Sequence, residues 1–219
     1  MVTGICSALA ASLALACLSG CASGSGGEQM TEAAPASAMP DWRSIATESD
    51  RERLREWRTA WMRGVTQAKG GGHAGELARE GNLLNPDAAV EWQDPPPGEY
   101  SCRMIKVGAK GAGPLDYIAY PAFTCRIRQE HGMMSFAKLT GSQRPLGLFL
   151  PTQGNRMVFL GTLQLGDENR AMEYGRDRER DMAGVVERIG DNRWRLFFPY
   201  PHFESTIDVL ELVPAATAS

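Results

Sequence analysis

Histidine is scarce, with three residues in 219. His73, His131 and His202 are not spaced as metal ligands, and none stands beside an obvious nucleophile or in a His-Glu-x-x-His pair. Cysteine is also sparse, with five residues; Cys6, Cys17 and Cys21 lie at the start of the chain, and Cys102 and Cys125 lack zinc-site spacing. No glycine-rich phosphate loop and no nucleophile elbow is present. The sequence therefore offers no positive support for an enzyme and calls for no metal or other cofactor. A formal net charge of −3 speaks against a nucleic-acid partner, which would need a basic footprint. No apolar run is long enough for a spanning helix.

What is present begins with an export signal. Ile5 to Leu18 is apolar or small, the length of a signal-peptide core rather than a membrane span. It ends in Leu18-Ser19-Gly20-Cys21, which resembles the lipobox of bacterial lipoproteins. That resemblance implies cleavage before Cys21, acyl chains on its sulfur and new amino group, and attachment to a membrane without crossing it. No Lys or Arg precedes the apolar core, a departure from the usual signal pattern. Ala22 after the cysteine implies the periplasm, anchored at the inner leaflet of the outer membrane. Residues 22–40 are Ala, Ser, Gly, Pro and Thr with two glutamates, the composition of a flexible tether. Residues 41–214 then form one domain, and 215–219 a disordered tail.

The domain opens with an amphipathic helix. Thr47-Glu48-Ser49-Asp50 supplies a cap and first-turn acids, and Leu54, Trp57, Trp61, Val65 and Ala68 form one apolar stripe. Gly70-Gly71-Gly72 stops it. The charge run from Asp50 to Arg58 reads as a solvated face. A short helix around Gly75 to Arg79 and a turn at Asn85-Pro86-Asp87 lead to Pro95-Pro96-Pro97, which excludes helix interior and central strand.

From Glu99 onward short runs alternate apolar and polar residues between turn signals. Phe123, Cys125 and Ile127 share one face; so do Leu146, Leu148 and Leu150, and so do Trp194, Leu196 and Phe198. Gly190-Asp191-Asn192 and Thr152-Gln153-Gly154-Asn155 read as hairpin turns. With no helices between strands, the expectation is a mainly β (α+β) fold: the helix followed by an antiparallel meander of seven or eight strands. A lipocalin-like barrel is preferred to an open sheet or sandwich because closure removes exposed edges. Cys102 and Cys125 are expected to form a disulfide, with the flanking Arg103 and Arg126 facing water.

Candidate binding residues come from two polar groups. Lys106 and Lys138 share strand faces with inward residues, and Arg144 lies beside them. An inward cation needs a partner, either an acid such as Glu187 or Glu211 or an anionic ligand. Residues 173–181, including Tyr174 and Arg176, form a loop whose guanidinium groups could hold a carboxylate or phosphate.

The runs Asp41-Trp42-Arg43, Cys102-Arg103-Met104-Ile105-Lys106, Lys138 to Arg144, Phe159-Leu160-Gly161, Tyr174-Gly175-Arg176 and Arg193-Trp194-Arg195 resemble an uncharacterised bacterial family of exported proteins and lipoproteins, known only as a domain of unknown function. The resemblance spans about residues 41–214. It implies no activity, but it places Lys138, Gln143, Arg144, Tyr174 and Arg176 in characteristic runs. The expected function is a lipid-anchored binding module for a small amphipathic or anionic ligand. The alternatives are a protein-binding module, such as an inhibitor of an envelope hydrolase, and, further off, an enzyme on an envelope polymer.

Overall fold

Eight strands follow one another around a closed antiparallel barrel, in sequence order. The structure is a computed structural model that describes residues 40–111, 116–130 and 132–216. The expected signal segment, Cys21, the expected tether up to residue 39, His131 and residues 217–219 lie outside the described residues. The strands are β1 (Gly98–Ala109), β2 (Tyr117–Glu130), β3 (Met133–Lys138), β4 (Gln143–Pro151), β5 (Met157–Leu165), β6 (Asp181–Gly190), β7 (Arg193–Pro199) and β8 (Ser205–Pro214). Closure comes from β1 pairing with β8, Cys102 opposite Leu212 and Lys106 opposite Asp208. The expected Gly190–Asn192 hairpin joins β6 to β7, with Asn192 at φ 49°.

The barrel interior is filled. Tyr100, Phe136, Phe149, Phe159, Trp194 and Phe198 pack inside with Cys102 and Cys125, as eight strands leave just enough room for side chains. Phe159 sits edge-on to Phe136, Phe149 and Phe198, with centroids 5.6–6.0 Å apart. Two paired glycines, Gly147 and Gly161, make that cluster possible: a Cβ on Gly161 would lie 2.7 Å from the Phe159 ring and 2.1 Å from the Leu146 carbonyl oxygen. The expected disulfide is present, Cys102 to Cys125 with Cα atoms 5.9 Å apart.

A second core lies outside the barrel wall, where Ile105, Val107, Val185, Phe197, Ile207 and Val209 meet the helices. The expected single helix is instead two, α2 (Glu48–Arg55) and α3 (Trp57–Gly70), preceded by α1 (Trp42–Ile45) and followed by α4 (Ala74–Glu80). The chain bends at Glu56, φ −90° and ψ 11°, because the two parts serve different strands: α2 packs on β6, whereas α3 crosses β1, β7 and β8. The α3 crossing is close. A Cβ on Gly64 would meet the Val107 carbonyl oxygen at 2.9 Å, and one on Gly108 would meet the Gly64 Cα at 2.8 Å. Gly108, at φ 72°, also needs the left-handed backbone that glycine adopts without a Cβ clash.

The proline connector closes one end. Gln93 accepts a hydrogen bond from the Trp194 indole at 2.9 Å, and Trp92 packs on the inner cluster. None of the described helices is long and apolar enough to cross a membrane.

Candidate functional site

The opposite end carries the sequence-predicted residues. Lys106 and Lys138 both point inward, as the alternation implied, and both are about 95% buried, each being 5% exposed. Lys106 is paired, but not with Glu187 or Glu211. Its amine lies 3.1 Å from Asp208, directly opposite on β8, and 3.3 Å from Glu204. Burial alone would lower the Lys106 amine, but Asp208 and Glu204 hold it above its ordinary range. Glu187 and Glu211 fall on the outer face, one register step away, and serve other arginines. A direct reading of the β1–β8 register was needed to find Asp208, because closure brings together strands a hundred residues apart.

Lys138 has no acidic partner among the described residues. Its amine donates to the carbonyls of Thr140 and Gln143, both at 2.9 Å, and stands 3.6 Å over the Phe123 ring. Burial, with Arg144 and Lys106 nearby, lowers it to about 8. The space beside Lys106 and Gln143 is about 20 Å³, room for about one water molecule. Among the described residues, side chains fill the barrel interior where a lipocalin-like calyx would lie.

The remaining predicted residues act as fasteners. Arg144 donates to the carbonyls of Leu165 (2.8 Å), Glu168 (3.1 Å) and Gly141 (3.2 Å), tying the β5–β6 loop to the β3–β4 turn. The Tyr174 hydroxyl donates to Asp50 and accepts from the Thr47 amide at 3.0 Å, clasping the same loop to the start of α2. Burial and the Asp50 carboxylate push its phenol far up. Arg176 is exposed, with Glu173 at 3.6 Å.

Two expectations about arginines and acids change. Asp50 is fully buried and Arg53 91% buried, so the charge run is not a solvated face throughout. Arg53 bonds to Asp50 and donates to the Asp181 carbonyl at 3.2 Å, because α2 lies against β6. Arg103 does not simply face water: it forms a two-point contact with Glu80 on α4 and donates to Glu211 at 3.2 Å. Arg103 holds the Glu80 carboxyl below its ordinary value. Arg126 pairs with Glu99 at 2.8 Å on the outer surface.

A site that the sequence reading missed lies between the first helices and the β4–β5 turn. It is an open cleft of about 490 Å³ whose polar wall is four arginines, Arg43, Arg51, Arg55 and Arg156, with Trp42 and Trp57 beneath them. No carboxylate is among its described lining residues. The indoles act as shelves: Arg43 lies 4.5 Å over Trp42 and Arg156 lies 5.1 Å over Trp57. A guanidinium stacked this way keeps its N–H edge free for an anion. Arg51 is fixed by donating to the carbonyls of Arg43 (2.9 Å) and Ala46 (2.6 Å), which end α1. Arg156 leans on Glu187 at 3.1 Å, and Glu48 lies 2.6 Å from Arg51 and 3.7 Å from Arg55.

Arg51 and Arg55 share a helix face at i,i+4 spacing, a signal legible beside Trp42-Arg43. Arg156 comes from a turn a hundred residues on, and no local pattern links it to them. Among the described residues no group of three or more His, Cys, Asp or Glu side chains is placed to hold a metal ion.

A family model described as a domain of unknown function, DUF4893, matches residues 42–212. No curated protein and no solved structure matches the chain.

Proposed function

The chain belongs to the family described as a domain of unknown function, DUF4893, and on that premise we propose that the domain is a binding module whose ligand is an anion held in the arginine–tryptophan cleft. One observation carries this reading: four arginines line one open cleft, and no acid is among its described lining residues. Arginine presents a planar fork that matches carboxylate and phosphate oxygens in pairs. The filled barrel supports a scaffold role, a rigid wall on which the cleft is built.

The proposal includes attachment to a membrane through acyl chains on Cys21, supported by Leu18-Ser19-Gly20-Cys21. The expected tether, residues 22–40, ends two residues before Trp42 in the sequence. A periplasmic setting at the outer membrane follows from the same signal and from Ala22.

Calorimetric titration with glycerol 3-phosphate tests the reading. Binding is expected, weakening as salt is added because the cleft is open to solvent. Arg43→Ala with Arg55→Ala is expected to weaken it more than about tenfold, each arginine–anion contact being worth roughly 1.5–3 kcal/mol. Both side chains are more than 60% exposed, so their loss leaves the fold intact. Equal binding by the double variant, or none by the unaltered chain, overturns the proposal.

The β5–β6 loop supports a second reading, as a protein-binding module such as a hydrolase inhibitor. Arg144 and Tyr174 hold the loop at two points, and Arg180 pairs with Glu168 at 3.0 Å within it. A loop held rigid in this way is the kind of segment an inhibitor presents to a partner. Capture of a hydrolase by the unaltered chain, lost when residues 169–172 are replaced by glycine, would favour this reading over the first.

A further inference from the structure

We infer that the anion is a phosphate monoester carrying an acyl chain, with its phosphate among the cleft arginines and its chain in an apolar groove on the other side of α1. This rests on the anion reading of the cleft and adds the ligand's charge and its tail.

Charge comes first. Around the cleft, five guanidinium groups share three carboxylates: Arg43 with Asp41, Arg51 and Arg55 with Glu48, and Arg156 and Arg195 with Glu187. Two positive charges are left over. A phosphate monoester carries about −1.5 to −2 near neutral pH, whereas a carboxylate supplies one. Trp42 lines the cleft and is 91% buried, and its indole nitrogen has no acceptor among the described residues. An unpaired buried donor costs free energy, so the floor of the cleft carries an unmet demand for an acceptor.

The tail follows from the adjacent groove. Ile45, Leu146, Leu148, Leu160 and Met172 line an apolar space of about 220 Å³ on the outer face of β4 and β5. Ile45 is 39% exposed and Met172 45%, so two of the described exposed large apolar side chains sit on one groove. Cleft and groove are neighbours. Trp42 and Arg43 line the first and Ile45 lines the second, and Trp42 and Ile45 stand three residues apart on α1, about 4.5 Å along the axis. On the barrel wall Val158 lines the cleft and its register partner Leu150 lines the groove. A headgroup and its chain are joined over that distance.

The test titrates the full chain with glycerol 3-phosphate, dodecyl phosphate and dodecanoate below micelle-forming concentrations. Dodecyl phosphate is expected to bind at least about tenfold more tightly than either of the others, since each buried methylene is worth about fourfold. Met172→Ser is expected to cut that advantage by at least about fourfold. If glycerol 3-phosphate binds but dodecyl phosphate binds no better, the inference fails while the anion reading stands. Dodecanoate matching dodecyl phosphate overturns the two-charge argument, and failure of all three probes overturns both readings. Sedimentation of the chain carrying Cys21→Ser, which removes the proposed acyl anchor, with phosphatidylcholine vesicles, with and without phosphatidic acid, separates the sources. Phosphatidic acid-dependent sedimentation assigns the ligand to the bilayer, and dodecyl phosphate binding with none assigns it to a free lipid. Equal sedimentation with both vesicle types overturns headgroup recognition.

Discussion

Arg195 and Glu187 face each other across β7 and β6 on the outer wall of the barrel, both fully buried, with a guanidinium nitrogen 2.6 Å from the carboxylate. The same arginine donates to the carbonyls of Asn82, Leu83 and Asn85, which pins the end of the helical segment to the sheet. Glu187 also holds the cleft arginine Arg156. One buried acid thus links the core to the arginine cleft.

Glu187→Gln should lower the unfolding free energy by about 3–5 kcal/mol, because it leaves Arg195 charged and unpaired. Urea unfolding measures this, and a loss below about 1 kcal/mol would show that Arg195 is sustained by carbonyls alone. Replacing both residues with apolar ones should not restore full stability, unlike many buried ion pairs, since the carbonyls of Asn82, Leu83, Asn85 and Pro86 would then lose their donor.

The Cys102–Cys125 disulfide closes a loop with a sequence separation of 23. Replacing both cysteines with alanine should lower stability by about 3 kcal/mol in the chain-entropy view. A loss under about 1 kcal/mol in denaturant unfolding would mean that the barrel's strand pairing already holds the two segments together in the unfolded chain.

Tyr174→Phe separates fastening from binding. It removes one donor to Asp50 and the acceptor of the Thr47 amide, and should cost about 1–3 kcal/mol. Glycerol 3-phosphate affinity should stay the same. A selective loss of affinity with stability intact would return Tyr174 to the list of ligand contacts.

Lys138 should titrate near its depressed value of about 8, against an ordinary amine near 10.4 in the unfolded chain. Between those values the unfolded chain binds the extra proton, so stability should rise with pH across that window. Below about 8 the amine is charged in both states, and its contribution is constant. Comparing unfolding curves of the unaltered chain and Lys138→Met over this range checks the sign; identical slopes would sink the assignment.

Much of the fold was legible because the inner face of the barrel keeps a strict period of two. Phe123, Cys125 and Ile127 on β2 and Trp194, Leu196 and Phe198 on β7 all fall where alternation puts them, and the disulfide follows. Alternation fails where helices cover the wall: on β6, Asp181 to Glu187 is buried without a break, and Arg195 sits on what looks like a solvent face. The bend at Glu56 was invisible because the apolar stripe of Leu54, Trp57 and Trp61 runs through it without a break. The inward aim of Lys106 and Lys138 was readable, but their partners were not, since those depend on β1 meeting β8 and on two turns. The cleft was the least legible part. It is assembled from a short helix, an exposed helix face and a distant hairpin turn, each ordinary in isolation.

The disulfide lies among the aromatic side chains of the barrel interior, and both cysteines are fully buried. An oxidant therefore has to reach the two sulfurs while β1 and β2 are still an open hairpin, before β8 swings round to seal the wall. Once sealed, the bond is shut away from thiols in solution and is broken only when the wall reopens. The molecule thus keeps a covalent record of the conditions under which it folded, whatever its surroundings later become.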